Sequence, residues 1–156
     1  MQTRVMIRQM QEADVEKLHD TFALWHKPRE KYQKCFAEQE QGERVVLVAV
    51  NDERIVGYVT IVWNSAYLPF RTQGIPEIVD TSVITAFQNQ GIGTALIRVA
   101  EHIAMQHSKP TIGISVGQSP AYAAAQQLYS TLGFVPDGRG ITLHDNELHL
   151  VKVLAN

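Results

Sequence analysis

Residues 76–104 have the sequence PEIVDTSVITAFQNQGIGTALIRVAEHIA. Residues 78–84 form a run rich in β-branched residues and of strand length, and a short polar connection then leads to Gly91 and Gly93. Apolar residues after the glycines recur at spacings of three and four, as on one face of a helix: Ile92, Ala95, Leu96, Val99 and Ile103. The stretch therefore predicts a buried strand that passes through a glycine-rich turn into a long helix.

Such a turn is a ready site for an anion. The first backbone N–H groups of a helix have no acceptor within the helix, and the helix dipole favours negative charge there, most often a phosphate. Gly91 and Gly93 allow positive φ and a close approach without a Cβ. Glycines also serve turn geometry alone, and the stretch lacks the Gly-Lys-Ser/Thr ending of a P-loop. It also has Leu96 where a dinucleotide fingerprint has its third glycine.

The turn does fit the pattern Gln/Arg-x-x-Gly-x-Gly/Ala, here QNQGIG at residues 88–93. In this position it resembles the pyrophosphate loop of the GNAT family of acyl-CoA-dependent N-acetyltransferases. A second segment, YAAAQQLYSTLGF at residues 122–134, is similar to the family's late helix with its Leu-Tyr and Gly-Phe ending. The resemblance covers roughly residues 44–154, and residues 1–43 match only in the order of their elements. One departure is Tyr122, where many members have an asparagine that touches the pantetheine arm of the cofactor.

Length and composition limit the classes of protein to which the chain can belong. The 156 residues predict a single domain, residues 1–156, and 45% apolar with 19% charged residues is ordinary for a soluble globular chain. A net charge of −2 without basic runs argues against nucleic-acid binding, and it is too slight to select a cationic acceptor. No apolar stretch is long enough to span a bilayer, and no signal-peptide core is seen, so no membrane association is expected. A single cysteine excludes an internal disulfide and favours a cytoplasmic location.

The remaining patterns predict a mixed α/β protein with a partly antiparallel sheet. Strands are expected at residues 5–7, 44–50, 55–63, 78–84, 111–116, 134–136 and 148–153, and helices at residues 12–25, 29–41, 92–104 and 122–132. Residues 64–74 are expected to form a loop with exposed Tyr67, Phe70 and Arg71, and residues 137–140 a glycine-rich turn. The resemblance implies the GNAT fold, a mixed central sheet whose parallel β-α-β core splays around the cofactor, with helices on both faces.

Two residues are candidates for catalysis. Periodicity alone favours Tyr129 as a core aromatic, whereas the resemblance implies a general acid that protonates the CoA thiolate. That transfer, from a pKa of ~10 to one of ~8.5, is uphill by about 2 kcal/mol if unassisted.

Glu77 matches the strand-borne glutamate base of some family members, and an amine with a pKa of ~10 must lose a proton before it attacks. The alternative interpretation is that Glu77 is simply an exposed residue at the start of a strand. Asp80 competes with it, although strand alternation puts the two on opposite faces unless a bulge intervenes.

The resemblance also implies the cofactor and acceptor contacts. The amides of residues 90–94 would hold the pyrophosphate of acetyl-CoA, and the backbone of Val83 and Thr85 would pair with its pantetheine arm. The predicted cofactor-binding residues are Val83, Thr85, Gln88, Gln90, Gly91, Ile92, Gly93 and Thr94. The predicted acceptor-site residues are His26, Trp63, Tyr67, Arg71 and Asp80.

No metal site is predicted. His102 and His107 are five residues apart, as are His144 and His149, and neither spacing puts both rings on one face at liganding distance. The single cysteine, Cys35, lies on an apolar helical face and is expected to pack rather than to act as a nucleophile.

The resemblance thus implies an N-acetyltransferase that moves the acetyl group of acetyl-CoA to a primary amine by direct attack. The acceptor is expected to be a small molecule or a peptide amine, and a homodimer is common among such proteins. The alternative is a module that binds acyl-CoA and regulates a partner without turnover.

Overall fold

The computed structural model describes residues 4–25 and 27–154. By its internal contacts the chain divides into two compact units, the first Met1–Val62 with Asp80–Ala100 and the second Trp63–Val79 with Glu101–Asn156. The single domain that the length predicts stays a prediction. The strands are β1 Met6–Gln9, β2 Arg44–Asn51, β3 Arg54–Val62, β4 Glu77–Val83, β5 Thr111–Gly117, β6 Val135–Thr142 and β7 Glu147–Val153. The helices are α1 Asp14–Thr21, α2 Arg29–Glu40, α3 Leu68–Gln73, α4 Ile92–Gln106 and α5 Ala123–Thr131.

The first unit contains the strand order β1-β2-β3-β4, of which β4 contributes residues 80–83. Strand β2 pairs antiparallel with both β1 and β3, which confirms the predicted hairpin. Four consecutive residues of β2, 46–49, are buried, as the continuous apolar run predicts. Gly57 in β3 allows a close approach, because a Cβ there would lie 2.9 Å from the carbonyl oxygen of Ser82.

The second unit contains the order β4-β5-β7-β6, of which β4 contributes residues 77–79. Glu77 and Ile78 pair in parallel with Gly113 and Ile114 of β5, which confirms the predicted parallel neighbours joined through a helix. Strand β7 pairs antiparallel with β5 along seven residues, and β6 pairs antiparallel with β7. The sheet is therefore mixed, as predicted.

Helix α4 begins at Ile92, directly after Gly91, as predicted. Its most buried side chains are those of Ile92, Leu96, Ile97, Ala100 and Ala104. The side chains of Ala95, Val99 and Ile103 are only half-buried. The most buried positions thus differ from the predicted ones, since Ile97 and the two alanines are more buried than Ala95, Val99 and Ile103.

The prediction for residues 64–74 is wrong in part. Residues 68–73 form the short helix α3, and Phe70 is only 1% exposed. The ring of Phe70 occupies the space that a side chain at Gly113 would need, since a Cβ on Gly113 would lie 2.3 Å from the nearest ring atom. Arg71 is exposed, as predicted. The missing side chain at Gly113, far away in sequence, is what allows Phe70 to be buried.

The predicted turn at residues 137–140 is also wrong. These residues lie inside β6 as an irregular bulge, since the pairing passes from Pro136 opposite Leu150 to Ile141 opposite Leu148. Gly138 and Gly140 have positive φ and let the strand take up the extra residues. The chain reverses at residues 143–146 instead. In the part of the chain that the structure describes, no helix has the length and apolarity needed to cross a bilayer.

Replacement of Gly113 by alanine should lower the free energy of unfolding by about 1–3 kcal/mol, because the new methyl group overlaps the Phe70 ring. Denaturant unfolding of the variants Gly113→Ala, Phe70→Leu and the double variant measures this. The smaller leucine should make room, so the double variant should be more stable than the sum of the single effects predicts. Additive losses would contradict the proposed steric conflict.

Candidate active site

The turn between β4 and α4 lies in the first unit and presents backbone N–H groups at the start of a long helix. The N–H of Ala95 donates to the carbonyl oxygen of Gly91 at 3.0 Å. The N–H groups of residues 92–94 precede this bond and therefore have no acceptor within the helix. Asn89 and Gly91 have φ of 62° and 83°, and a Cβ at Gly91 would meet nothing within 4 Å. An anion can thus approach the helix start on the open side of Gly91.

Two glutamines of the predicted motif stabilise this turn. The side-chain amide of Gln88 donates to the carbonyl oxygen of Val83 at 2.9 Å, and that of Gln90 to the carbonyl oxygen of Ala86 at 3.3 Å. A carbonyl oxygen has two lone pairs, so Val83 can still accept a further hydrogen bond. Sequence reasoning assigned Gln88 to the cofactor and missed its contact with Val83.

Asp80 is held by two lysines of the first unit. Its carboxylate accepts a hydrogen bond from Lys27 Nζ at 3.1 Å, forms an ion pair with Lys31 and accepts a hydrogen bond from Tyr58 Oη at 3.0 Å. Burial alone would raise the pKa of Asp80, but the hydrogen bonds and charges of the two lysines outweigh it, and the pKa is lowered. Asp80 therefore remains ionised with two counterions, and such a carboxylate is a poor proton acceptor.

Aromatic rings surround one of these lysines. The ammonium group of Lys27 lies 5.7, 5.3 and 5.1 Å from the ring centroids of Phe22, Trp25 and Tyr58, within cation–π range. It also donates to Ser82 Oγ at 3.1 Å. His26, a predicted acceptor residue, lies outside the described residues.

Glu77 lies in the second unit and is buried, with 6% of its surface exposed. Its carboxylate accepts a hydrogen bond of 2.5 Å from Ser65 Oγ, which in turn accepts one of 2.9 Å from the N–H of Tyr67. Glu77 is therefore not the exposed strand-entrance residue of the alternative interpretation. Through Ser65 the structure brings Glu77 and Tyr67 together.

Tyr67 is packed rather than exposed. Its ring stacks on that of His149, with centroids 3.5 Å apart and planes 8° apart, and its hydroxyl donates to Asp137 at 2.8 Å. Burial, together with the hydrogen bond to Asp137, raises the pKa of Tyr67 to about 12. The contact of His149 with Tyr67 was not predicted from the sequence, although the alternation of β7 places His149 on one face with Glu147.

The other predicted acceptor residues have different surroundings. The ring of Trp63 contacts that of His107, with centroids 4.4 Å apart and planes tilted by 31°, and the side chain of Arg71 is exposed. Tyr129 in α5 is buried, and its ring lies edge-on to Phe134 at 6.3 Å between centroids. The burial of Tyr129 is compatible with both interpretations of this residue, a core aromatic and a general acid that is shielded from solvent.

A family model described as the acetyltransferase (GNAT) family matches residues 8–134. The chain belongs to the GNAT acetyltransferase family. Its mixed sheet, with helices α1 to α5, has the GNAT fold, as predicted. None of the curated proteins compared with the chain matches it.

Solved structures of GNAT proteins share this fold. A GNAT-family protein from Desulfovibrio desulfuricans has a TM-score of 0.79 at 16% identity, over 97% of this chain and 100% of that one. A ribosomal-protein-alanine N-acetyltransferase from Brucella melitensis has a TM-score of 0.75 at 20% identity, over 96% and 99% of the two chains. The PaiA N-acetyltransferase from Thermoplasma acidophilum, solved with coenzyme A, has a TM-score of 0.72 at 16% identity, over 96% and 99%.

The departure of this GNAT protein at Tyr122 has a local explanation. The ring of Tyr122 covers Gly117 at the end of β5, where a Cβ would lie 2.5 Å from the ring. The absence of a side chain at Gly117 in β5 therefore leaves the space that the Tyr122 ring occupies.

Cys35 is buried, and burial raises the pKa of its thiol, so it is a poor nucleophile. Among the described residues, no group of three or more His, Cys, Asp or Glu side chains is arranged to hold a metal ion.

The variant Asp80→Asn should lower the free energy of unfolding at pH 7 by about 1–3 kcal/mol, because two lysines lose their counterion. The folded pKa of Asp80 lies below its ordinary value of 3.8. Its contribution is therefore complete above about pH 4 and is lost as the pH falls through the folded pKa. Denaturant unfolding from pH 3 to pH 7 measures this difference.

The matched control is Glu16→Gln, which removes an ion pair with Arg29 between side chains that are 60% and 45% exposed. Its effect should stay below about 1 kcal/mol. A difference between wild type and Asp80→Asn that does not change with pH would contradict the role of the ionised carboxylate.

Proposed function

We propose that this protein is an N-acetyltransferase that transfers the acetyl group of acetyl-CoA to a primary amine. The observation that carries the proposal is the turn before α4, where the N–H groups of residues 92–94 begin the helix and a Cβ at Gly91 would meet nothing within 4 Å. Such a helix start suits a pyrophosphate. Membership of the GNAT family and the coenzyme A complex of the PaiA enzyme support the same ligand.

In this proposal the cofactor lies along the end of β4 and the start of α4. The amides of residues 90–94 bind the pyrophosphate, while the backbone of Val83 and Thr85 pairs with the pantetheine arm. Gln88 supports this pairing, since its bond to Val83 fixes the carbonyl oxygen and leaves a lone pair for the ligand. The proposed cofactor-binding set is Val83, Thr85, Gln88, Gln90, Gly91, Ile92, Gly93 and Thr94.

The chemistry assigned to the second unit is proton transfer. Glu77, directly or through a water, accepts the proton that the acceptor ammonium must lose. The free amine attacks the thioester carbonyl and a C–N bond forms. The attacking nitrogen then releases its second proton to solvent, the C–S bond breaks, and Tyr129 donates a proton to the departing thiolate and regains one from solvent. Glu77 is preferred over Asp80 because its carboxylate has no ion-pair partner among the described residues, whereas Asp80 binds two ammonium groups.

The acceptor is a small molecule or a peptide amine. Of the acceptor residues expected from the sequence, Tyr67 has the most support, because it shares Ser65 with the proposed base. Trp63 and Arg71 keep only the support of their positions in the sequence.

Replacement of Gly91 by valine should abolish binding of acetyl-CoA, because the side chain would fill the open side of the turn and strain a φ of 83°. Calorimetric titration with acetyl-CoA and then CoA measures the binding, which is expected at micromolar affinity in the wild type. The matched control is Gly42→Val, since Gly42 has a φ of 79° and equally open surroundings but lies between α2 and β2. Retained micromolar binding by Gly91→Val would overturn the assignment of the loop.

Replacement of Tyr129 by phenylalanine should lower kcat by about a hundredfold, the effect typical of a lost general acid, and leave the Kd of acetyl-CoA within about twofold. Steady-state kinetics with the best amine of a broad panel, combined with calorimetry, separates the two effects. Tyr32→Phe, which removes a buried hydroxyl from the first unit, is the control for loss of a buried tyrosine hydroxyl. An unchanged kcat would remove the role assigned to Tyr129.

A further inference from the structure

One face of the second unit gathers polar side chains on three neighbouring strands. On β5 the residues of this face are Gly113, Ser115 and Gly117, which alternate along the strand. Glu77 is the partner of Gly113 on β4, while His149 and Glu147 are the partners of Ser115 and Gly117 on β7. Residues directly opposite each other in a sheet share a face. We call the set Glu77, Ser115, Glu147 and His149 the polar face.

The carboxylates of the polar face lack positive partners. Within the described residues, neither Glu77 nor Glu147 forms an ion pair. Burial raises the pKa of Glu147, and so do the charges of Asp145 and Glu77, whereas His149 lowers it. Two carboxylates in one partly buried region without a counterion favour a cation from outside the chain.

His149 is a second and independent sign of a ligand. Its side chain is on the same face, it is 4% exposed, and its Nδ1 is buried without a hydrogen-bond partner. Its ring is fixed by stacking on Tyr67 and by an edge-on contact with Phe70 at 5.4 Å. Buried polar atoms are nearly always paired, so an unpaired imidazole nitrogen on the same face as two carboxylates without an ion-pair partner among the described residues indicates that a group is missing here.

We propose that Ser115, Glu147 and His149 bind a second positively charged group of the acceptor, which makes diamines and other dicationic amines the preferred substrates. This inference rests on the proposed function, in which Glu77 serves the reacting amine. An ammonium group has three N–H donors. The Glu147 carboxylate, the hydroxyl oxygen of Ser115, which lies 3.5 Å from that carboxylate, and the imidazole are the acceptors for them.

A dication fits this face better than a single charge does. The amine that reacts loses one proton to Glu77 and a second proton after it attacks, and it becomes a neutral amide, so it cannot serve as counterion to Glu147 through the reaction. A second ammonium group remains charged throughout and contributes equally to substrate and transition-state binding. Its loss should therefore appear mainly in KM rather than in kcat.

The kinetic test compares α,ω-diamines of three to six carbons with n-alkylamines of the same lengths. In the wild type, kcat/KM should be at least tenfold higher for the best diamine than for its monoamine. Glu147→Gln should remove this preference by raising KM for the diamine and should leave the alkylamine within twofold. The matched control is Asp145→Asn, which removes a neighbouring negative charge from a side chain that is 51% exposed. No preference for diamines in the wild type would overturn the proposal, and so would an equal effect of Glu147→Gln on both amines.

A binding measurement tests the inference without turnover. Protein with ¹³C-labelled histidine is titrated with 1,4-diaminobutane, with and without CoA, and the ring signals are followed by NMR. The signal of His149, assigned with His149→Gln, should shift in the wild type and not in Glu147→Gln. The fully exposed His144 is the internal reference.

The two proposals fail in different ways. An unmoved His149 signal in protein that binds CoA by calorimetry would overturn the dication site and leave the proposed cofactor site intact. A shift of His149 in protein that does not bind CoA would support the ammonium site and refute the acetyltransferase proposal.

Discussion

Strand β4 reaches the glycine-rich turn only after its backbone passes through a left-handed residue, since Asp80 has a φ of 61°. That conformation costs an L-residue other than glycine about 1–2 kcal/mol, and aspartate is among the residues that tolerate it best. The ion pairs of its carboxylate with Lys27 and Lys31 hold the side chain in place and offset this cost. From there residues 81–83 lead to Ile84, whose N–H donates to the carbonyl oxygen of Val56, and then to the turn before α4. The charge of Asp80 thus stabilises the first unit, and this use leaves it little capacity as a base.

In the second unit, the positions of several side chains depend on the space that two glycines leave on one face of the sheet. Gly113 and Gly117 lack side chains on one face of β5, and the rings of Phe70 and Tyr122 occupy the room that this leaves. Burial of Phe70 fixes α3, and the segment just before α3 carries Tyr67 and Ser65, which contact His149 and Glu77. The polar side chains are therefore positioned by apolar packing, in which two absent Cβ atoms determine where the aromatic rings can lie.

The parts of the fold that were predictable are those whose signal is local. The strand, the glycines and the helix of residues 76–104 follow from periodicity and turn chemistry within one continuous stretch, and the structure has them within about a residue or two. Phe70 could not be placed, because its burial depends on Gly113, which is distant in the sequence. The alternation argument for Glu77 and Asp80 could not be applied, since a left-handed residue within β4 interrupts the count. The glycines of residues 137–140 suggested a turn, yet positive φ serves a bulge equally well.

Net charge does not describe how charges are distributed locally. A balance of −2 over 156 residues predicts no preference for a charged acceptor, because it averages over groups that neutralise one another locally. The structure shows how uneven that neutralisation is, since Asp80 has two lysines while Glu77 and Glu147 form no ion pair among the described residues. Charge interactions weaken with distance and are screened by salt. The ionisation of a partly buried carboxylate therefore depends far more on its immediate neighbours than on the charge of the whole chain. Which carboxylates are paired with lysines is therefore set by how the fold distributes the lysines, and the net charge does not reveal that distribution.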